Sequence, residues 1–276
     1  MRVWLDDGLV DEAEAKVSVF DHGLTVGDAV FETISVRSGR AVAATRHLRR
    51  LVRSAEGLGM ASPDPARLHA AVAGLIEANQ AVAGVVRVVV TSGPGPLGST
   101  RGEAVCTVVA MLGPAPGWPP TADVVTVPWA RNERSAVAGI KTTSYAENVL
   151  ALAEARRRGG SEALFPNTVG DLCEGSGSNV FLVLEGNLVT PPLSSGCLAG
   201  VSRGLLIERC GLVVEERPVP MSALERAEEV FLTSATRDVQ PVRSVDGRPL
   251  GADPGPVTAK ASAAYAAMLA TDPDPD

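Results

Sequence analysis

Several residue types are scarce in this chain of 276 residues, and each scarcity excludes a class of protein. Apolar residues never run uninterrupted for the roughly eighteen positions that a membrane-spanning helix needs. The formal net charge of −7 leaves no basic surface for a nucleic-acid backbone or an anionic membrane. We therefore expect neither nucleic acid nor membrane among the partners of this protein.

Cysteine is also scarce, and its spacing argues against a metal centre. The four cysteines form no C-x-x-C pair, which excludes the usual zinc and disulfide patterns and favours small buried hydrophobes: Cys106, Cys173, Cys197 and Cys210. The N-terminus carries charges where a secretory signal would need an apolar run. We expect a cytoplasmic protein without a metal ion.

Lysine is the scarcest residue of chemical interest, because the chain contains only Lys16, Lys141 and Lys260. The usual interpretation of Lys16 and Lys260 is a solvated surface charge. Lys141 differs, since it follows the apolar run Val-Ala-Gly-Ile and precedes the hydroxyl-rich run Thr-Thr-Ser-Tyr. An amine nucleophile suits such a partly shielded position, although a structural lysine remains the alternative.

The pattern of apolar residues predicts an α+β protein with two domains. Helices are expected over 45–59, 65–79 and 145–158, and strands over 85–91, 122–128, 163–165, 180–184 and 188–190. A stretch rich in proline and glycine marks a linker. The predicted division is a smaller N-terminal domain over 1–115, the linker over 116–122, a larger domain over 123–270 and a disordered tail over 271–276.

A second chemical feature follows Lys141 at a distance of thirty-three residues. Glu174 begins the run Glu-Gly-Ser-Gly-Ser-Asn-Val-Phe, in which small residues lead into a strongly apolar strand. The run lacks the G-x-S-x-G pattern of a hydrolase elbow and the Gly-Lys-Ser/Thr of a nucleotide-binding loop. A plain turn with a solvated carboxylate is the alternative interpretation.

Taken in order, these features resemble class IV aminotransferases, the fold type IV enzymes that bind pyridoxal 5′-phosphate. The resemblance rests on order and spacing from about Trp4 to Leu250, and it includes Phe-Glu-Thr at 31–33, His-Leu-Arg-Arg-Leu at 47–51 and Gly-Val-Ser-Arg at 200–203. It implies a two-domain fold like that of D-amino-acid aminotransferase, with the cofactor between the domains. It also implies a homodimer.

The resemblance assigns a task to each matching position. Lys141 would hold the cofactor as a Schiff base and then move the proton, and Glu174 would pair with the pyridine nitrogen. The residues expected to bind the rest of the cofactor, its phosphate above all, are Arg50, Val201, Ser202, Ser234, Ala235 and, for the ring hydroxyl, Tyr145. The residues expected on the substrate side are Phe31, Glu32 and Arg101, with ordinary strand alternation as the alternative for the first two. The histidines receive no catalytic role.

The sequence leaves the reaction itself open. The run Lys-Thr-Thr-Ser-Tyr-Ala-Glu-Asn over 141–148 is similar to that of 4-amino-4-deoxychorismate lyases, which release pyruvate and 4-aminobenzoate in folate biosynthesis. We therefore predict the lyase first. An amino-acid transaminase, of the branched-chain or D-amino-acid type, is the alternative, and an inactive binding protein with this fold is the alternative from another class.

Overall fold

A computed structural model describes residues 1–103, 105–251 and 254–276, and it divides the chain into two compact units. The first unit comprises Met1–Pro116, Ile140–Ser144 and Asp272–Asp276. The second unit comprises Gly117–Gly139 and Tyr145–Thr271. This division differs from the predicted one in two places, because a five-residue segment containing Lys141 and the C-terminal residues both belong to the first unit.

The first unit is built on an antiparallel sheet of six strands in the order β2-β1-β6-β5-β3-β4. The strands are β1 (Arg2–Leu5), β2 (Gly8–Asp11), β3 (Ala29–Arg37), β4 (Arg40–Ala41), β5 (Ala83–Thr91) and β6 (Val108–Gly113). The helices are α1 (His22–Thr25), α2 (Ala44–Gly57) and α3 (Pro65–Ala78). Strands β3 and β5 pair along nine residues each, so they form the centre of the sheet.

Helices α2 and α3 form the core of the first unit with this sheet. Leu48 and Leu51 of α2, Leu68 and Leu75 of α3, and Val88 of β5 are all buried to 1% exposure or less. Full burial of each such side chain stabilises the fold by about 1.5–3 kcal/mol. This packing fixes α2, and with it the polar side chains that the helix presents to β3.

The second unit is built on a mixed sheet of nine strands, eight of them in the order β12-β11-β10-β13-β14-β7-β8-β9, with β15 paired to β14. The strands are β7 (Ala122–Thr126), β8 (Glu162–Pro166), β9 (Leu172–Gly175), β10 (Asn179–Leu184), β11 (Asn187–Thr190), β12 (Glu215–Glu216), β13 (Glu229–Ser234), β14 (Asp238–Val245) and β15 (Arg248–Pro249). The helices are α4 (Ala146–Arg157), α5 (Val201–Arg209) and α6 (Pro256–Thr271). None of the helices described is long and apolar enough to cross a bilayer.

Local sequence explains the elements that flank the predicted cofactor residues. Glu185 and Gly186 both adopt positive φ angles, 53° and 75°, which close the two-residue hairpin between β10 and β11. Phe181 of β10 and Phe231 of β13 stack with ring centroids 4.8 Å apart. The pair locks the two strands in register and so fixes the loops at their ends.

Most predicted helices and strands occur within a few residues of their expected bounds. Near the site, the apolar run at 137–140 that precedes Lys141 is not extended. It lies in a series of turns, and Gly139 has a φ of +75°, which breaks an extended run. Lys141 therefore follows a turn.

The C-terminal residues, predicted to be disordered, form the N-terminal cap of α2. Helix α2 begins after Ala43, which offers no side-chain cap of its own. Asp274 supplies one, because its carboxylate accepts bonds from the Thr45 backbone N–H at 2.9 Å and the Thr45 hydroxyl at 2.7 Å. The Pro273 carbonyl accepts the Ala43 N–H at 2.7 Å. The backbone N–H groups at the start of α2 have no partner within the helix, so they bond to the C-terminal residues and order them. The composition of these residues alone suggests disorder.

Candidate active-site residues

Lys141 lies alongside strand β3 in the first unit. Its carbonyl oxygen accepts a bond from the Phe31 N–H at 3.0 Å, and its own N–H donates to the Ser54 hydroxyl at 3.3 Å. Thr142 forms a bridge with Val30, which continues the contact. The lysine nitrogen is 4.5 Å from the centroid of the Phe31 ring. Backbone bonds on both sides thus fix the position from which the amine extends.

Phe31 and Glu32 are neighbours on β3, so their side chains point to opposite faces of the sheet. Phe31 faces Lys141, and its place on the substrate side stays a prediction. Glu32 is fully buried and bonds to helix α2. Its carboxylate accepts from Arg50 at 2.7 and 2.8 Å and from Nδ1 of His47 at 2.7 Å. These bonds give Glu32 a structural task, and its place on the substrate side stays a prediction.

Electrostatics decide the protonation of this buried group. Burial alone would raise the pKa of the Glu32 carboxyl, but the charges and hydrogen bonds of Arg50 and His47 outweigh it and lower the pKa. Burial lowers the pKa of His47, and Arg50 and Lys141 add to the effect against the attraction of Glu32. We therefore assign a neutral His47 that donates its Nδ1–H to an ionised Glu32. Arg50 is held by a bidentate pair.

Arg101, the third residue expected on the substrate side, is held at the surface of the first unit. Its guanidinium forms a bidentate pair with Asp28 at 2.6 and 2.7 Å. It also donates to the carbonyl oxygens of Leu58 and Gly59 at 2.8 and 2.7 Å. The Arg101 bonds lower the pKa of Asp28, which keeps the pair ionised. These contacts give Arg101 a task in fixing a loop.

Glu174 is the penultimate residue of strand β9 in the second unit and remains partly exposed. Its carboxylate accepts the Leu198 N–H at 2.9 Å, and Nε of Arg131 lies 3.4 Å from its other oxygen. Arg131 also stacks over the Phe165 ring at 4.5 Å. The carboxylate is thus held in place by one hydrogen bond and one nearby positive charge. Sequence reasoning missed Arg131, because the loop that carries it has no distinguishing pattern.

The cysteines near Glu174 are inert packing residues. Cys173 and Cys197 are almost fully buried, as the sequence predicts, and all four cysteines of the chain are unpaired thiols. Burial and the neighbouring Glu174 carboxylate raise the pKa of the Cys197 thiol to about 11. The same causes raise the pKa of Cys173. Neither thiol is therefore ionised enough at neutral pH to act as a nucleophile.

Tyr145 lies at the N-terminus of α4, where it is the residue before the first helical position. Three residues further on, the Asn148 amide donates to the Ser176 carbonyl oxygen at 2.6 Å. This bond ties the start of the helix to the loop that follows Glu174. Asn148 belongs to the run that carries the resemblance, but its partner was not evident from the sequence.

Val201 and Ser202 are the first residues of α5, with Gly200 as the N-terminal cap. Gly200 has no side chain to cap the helix, and a Cβ there would collide with the side-chain oxygen of Asn179. The Asn179 amide is itself held by the Leu198 carbonyl at 2.9 Å. An uncapped helix start with this steric requirement suits the binding of an anion.

Ser234 and Ala235 lie where β13 ends and the chain turns into β14. Ser234 closes the turn, since its hydroxyl and carbonyl oxygens accept the Arg237 N–H at 3.2 and 3.3 Å. Thr233 pairs in register with Asn179, and its hydroxyl is buried with no hydrogen-bond partner among the described residues. A buried hydroxyl without a partner is costly, so this one indicates a ligand or ordered water beside it.

The matches with known proteins decide the family. The model of the family described as amino-transferase class IV matches residues 29–245, which is most of the chain. The chain belongs to the class IV aminotransferase family. A protein of Methanocaldococcus jannaschii named as a branched-chain-amino-acid aminotransferase is 33% identical over 256 residues, which are 90% of this chain and 89% of the relative.

Solved structures of relatives confirm the fold. The branched-chain aminotransferase of Thermoproteus uzoniensis with norvaline has a TM-score of 0.90 and 31% identity, covering 98% of this chain and 94% of its own. An aminotransferase of Mycobacterium tuberculosis with bound pyridoxal phosphate has a TM-score of 0.88 and 26% identity over 99% and 100% of the two chains. A protein of Legionella pneumophila named as a 4-amino-4-deoxychorismate lyase shares the fold at 24% identity, with a TM-score of 0.87 over 95% and 97% of the chains.

Class IV aminotransferases are enzymes that use pyridoxal phosphate, and the residues of this chain fit that cofactor. The uncapped start of α5 and the partnerless Thr233 hydroxyl provide donors suited to a phosphate. Glu174 provides a fixed carboxylate, and Lys141 provides an amine held by its backbone. Among the described residues, no group of His, Cys, Asp and Glu has the arrangement of a metal site.

Proposed function

We propose that this chain is an amino-acid aminotransferase in which Lys141 holds the cofactor and moves the proton. The observation that carries the proposal is the setting of the three lysines. Lys141 is held by backbone bonds beside the buried strand β3, whereas Lys16 and Lys260 are exposed. Among these three lysines, only Lys141 is partly buried, and its nitrogen lies 4.5 Å from the centroid of the Phe31 ring.

Each remaining residue has a task that its contacts support. Bound pyridoxal phosphate withdraws electrons from the substrate carbon that bears the nitrogen. Glu174, fixed by the Leu198 N–H, would keep a proton on the pyridine nitrogen. The phosphate would be bound by Arg50, which Glu32 holds in place, by the amides of Val201 and Ser202 at the uncapped start of α5, and by the turn at Ser234 and Ala235. The amine of Lys141 would take the proton from one carbon and return it to another.

Branched-chain L-amino acids are the first substrates to test. The relatives from Methanocaldococcus jannaschii and Thermoproteus uzoniensis are named as branched-chain aminotransferases, and both share more than 30% identity with this chain. The contacts of Arg101 support the same choice. Because Asp28 and two carbonyl oxygens hold its guanidinium, Arg101 is poorly placed to bind a substrate carboxylate.

A second candidate is 4-amino-4-deoxychorismate lyase. The run from Lys141 to Asn148 favours it, and the bond from Asn148 to Ser176 gives that run a structural task beside Glu174. A lyase would use the same lysine to remove a ring proton and would release pyruvate without consuming an amino acceptor. The two candidates therefore differ in their need for a keto acid.

The deciding experiment compares two reactions of the purified, cofactor-loaded protein. In the first, L-leucine and 2-oxoglutarate are supplied and glutamate is measured. In the second, 4-amino-4-deoxychorismate is supplied without a keto acid, and 4-aminobenzoate and pyruvate are measured. The variants are Lys141→Ala and, as a matched control, the exposed Lys260→Ala.

We expect glutamate in the first reaction, its loss with Lys141→Ala and its retention with Lys260→Ala. Pyruvate and 4-aminobenzoate in the second reaction, with no glutamate in the first, would replace the proposal by the lyase. A colourless protein that takes up no cofactor would favour the inactive binding protein.

The predicted homodimer and the predicted cytoplasmic location are also proposals. Large apolar side chains near the N-terminus support the dimer, since Val19, Phe20 and Leu24 are 70%, 53% and 69% exposed. Single apolar residues at a surface are ordinary, but three in one short segment are typical of an interface. Sedimentation of the purified protein measures the association directly.

A further inference from the structure

Two loops of the second unit carry residues that we expect to hold opposite ends of the cofactor. The carboxylate loop, 174–179, presents Glu174, and the hydroxyl turn, 233–236, presents Ser234 and Ala235. Neither Glu162, the first residue of β8, nor Arg237, which precedes β14, was among the residues expected at the site. Both are buried, with 1% and 8% exposure.

Glu162 is the centre around which the carboxylate loop folds. One carboxylate oxygen accepts the Ser176 N–H at 2.9 Å and the Ser176 hydroxyl. The other accepts the Ser178 hydroxyl at 3.1 Å and Nη2 of Arg237 at 3.2 Å. A buried carboxylate is costly unless its acceptor sites are filled, and here the loop fills them.

The glycine that follows Glu174 is required by this arrangement. A Cβ at Gly175 would collide with the Ser178 hydroxyl and would lie 3.2 Å from the carboxyl carbon of Glu162. Any larger residue would therefore push the loop away from the carboxylate. The Gly-Ser-Gly-Ser run is thereby explained by a buried partner.

Arg237 connects the same carboxylate to the hydroxyl turn. Its backbone N–H closes the turn on Ser234, while its guanidinium carbon lies 3.5 Å from the centroid of the Trp118 ring. The Trp118 N–H donates to the Thr236 hydroxyl at 3.2 Å. Nη1 of Arg237 donates to Gln240. Both the backbone and the side chain of Arg237 thus depend on the shape of the turn.

We propose that the buried Glu162–Arg237 ion pair is a positioning device that ties the carboxylate loop to the hydroxyl turn. It sets the spacing between the group that faces the pyridine nitrogen and the groups that face the phosphate. The inference rests on the proposed function, because the tasks of both loops come from it. Glu162 and Arg237 are positioning residues that act through Ser176, Ser178 and Ser234.

The test variant is Glu162→Gln, which keeps the size of the side chain and removes its charge. The matched control is Glu154→Gln in the same unit, because Glu154 also pairs with an arginine, Arg157, at 2.6 Å, but at the surface. Apoprotein is titrated with pyridoxal phosphate, and binding is followed by tryptophan fluorescence and by the colour of the lysine-bound cofactor.

We expect Glu162→Gln to raise the dissociation constant of pyridoxal phosphate about tenfold or more, as for the loss of a charged, buried hydrogen bond. Glu154→Gln should stay within about twofold of the parent protein, because exposed pairs contribute little. The absorption band of the bound cofactor should also titrate at a different pH in Glu162→Gln, since Glu174 is displaced. An unchanged dissociation constant would overturn the inference.

A second measurement needs no cofactor. Hydrogen exchange of the apoprotein should show that Glu162→Gln lowers protection in the carboxylate loop and the hydroxyl turn together, and that Glu154→Gln lowers it in neither. Loss of protection in the carboxylate loop alone would overturn the coupling. If Glu162→Gln does not fold, Ser178→Ala removes a single donor and should show the same paired loss on a smaller scale.

The two measurements separate this inference from the proposed function. A parent protein that binds no pyridoxal phosphate would end the proposed function, whereas the exchange experiment would still decide whether the ion pair couples the loops. If the parent protein binds pyridoxal phosphate but Glu162→Gln lowers hydrogen-exchange protection in only one of the two loops, only the proposed coupling is rejected.

Discussion

Glu32→Ala should destabilise the first unit severely. Glu32 is completely buried, and the side chains of its partners Arg50 and His47 are only 8% and 3% exposed. Removing the carboxylate leaves the Arg50 guanidinium buried without its counter-charge, which typically costs about 3–5 kcal/mol. A domain of ordinary stability has about 5–15 kcal/mol in total. The melting temperature should therefore fall by roughly 6–20 °C.

The assay is urea unfolding of the apoprotein, monitored by circular dichroism and by tryptophan fluorescence, to which Trp4 contributes from the first unit and Trp118 and Trp129 from the second, because two units need not unfold together. The control is Glu56→Ala, which removes an exposed carboxylate from the same helix as Arg50. The double variant Glu32→Ala/Arg50→Met should be more stable than Glu32→Ala, because no charge is left buried. If Glu32→Ala lowers the free energy of unfolding by less than about 1 kcal/mol, the cost expected for a buried, unpaired Arg50 is contradicted.

Three further changes probe other contacts. The pKa of His47 in the fold lies below 6.5, so the unfolded chain binds more protons than the folded chain as the pH falls. The contribution of His47 to the free energy of unfolding should therefore be complete above about pH 6.5 and decrease below it. His47→Gln should make the free energy of unfolding, measured with urea from about pH 5 to 8, depend less on pH. Asp274→Ala should cost about 1 kcal/mol and raise hydrogen exchange in the first turn of α2, whereas Glu56→Ala, which removes an exposed carboxylate at the other end of the same helix, should do neither. Gly200→Ala should weaken the binding of pyridoxal phosphate at least about tenfold in a fluorescence titration, because its Cβ collides with Asn179; unchanged binding would contradict the anion site at α5.

The sequence predicted helices and strands well where interactions between residues close in the chain determine them. Pro65 at the start of α3 and Gly200 before α5 mark helix starts, and the run of β-branched residues in β5 marks a central strand. These signals act over a few residues, so no tertiary information is needed to interpret them.

The partners of buried charges were beyond such reasoning. Glu32 bonds to residues fifteen and eighteen positions away, and Glu162 bonds to an arginine seventy-five positions away. Strand alternation predicts the face of the sheet on which a side chain lies, but it does not predict which charged residue contacts it there. For this reason Glu32 was expected near the substrate, and Arg237 was not expected at all.

The sequence contains an indication that the C-terminal residues are ordered, and it lies at the start of helix α2. Helix α2 begins at Ala44, and the preceding residue, Ala43, is not a Ser, Thr, Asp or Asn that could cap it. A helix start without a local cap needs donors satisfied from elsewhere, and Asp274 satisfies them. Composition alone, dominated by aspartate and proline, indicated disorder because it ignores such unmet donors.

The central claim is that Lys141 holds the cofactor, and one measurement tests it most directly. The yellow protein is reduced with borohydride, which fixes the cofactor to its lysine, and the digested peptides are identified by mass spectrometry. We expect a phosphopyridoxyl group on the peptide that contains Lys141 and on neither of the peptides that contain Lys16 or Lys260. Modification of one of those two lysines, with Lys141 unmodified, would contradict it.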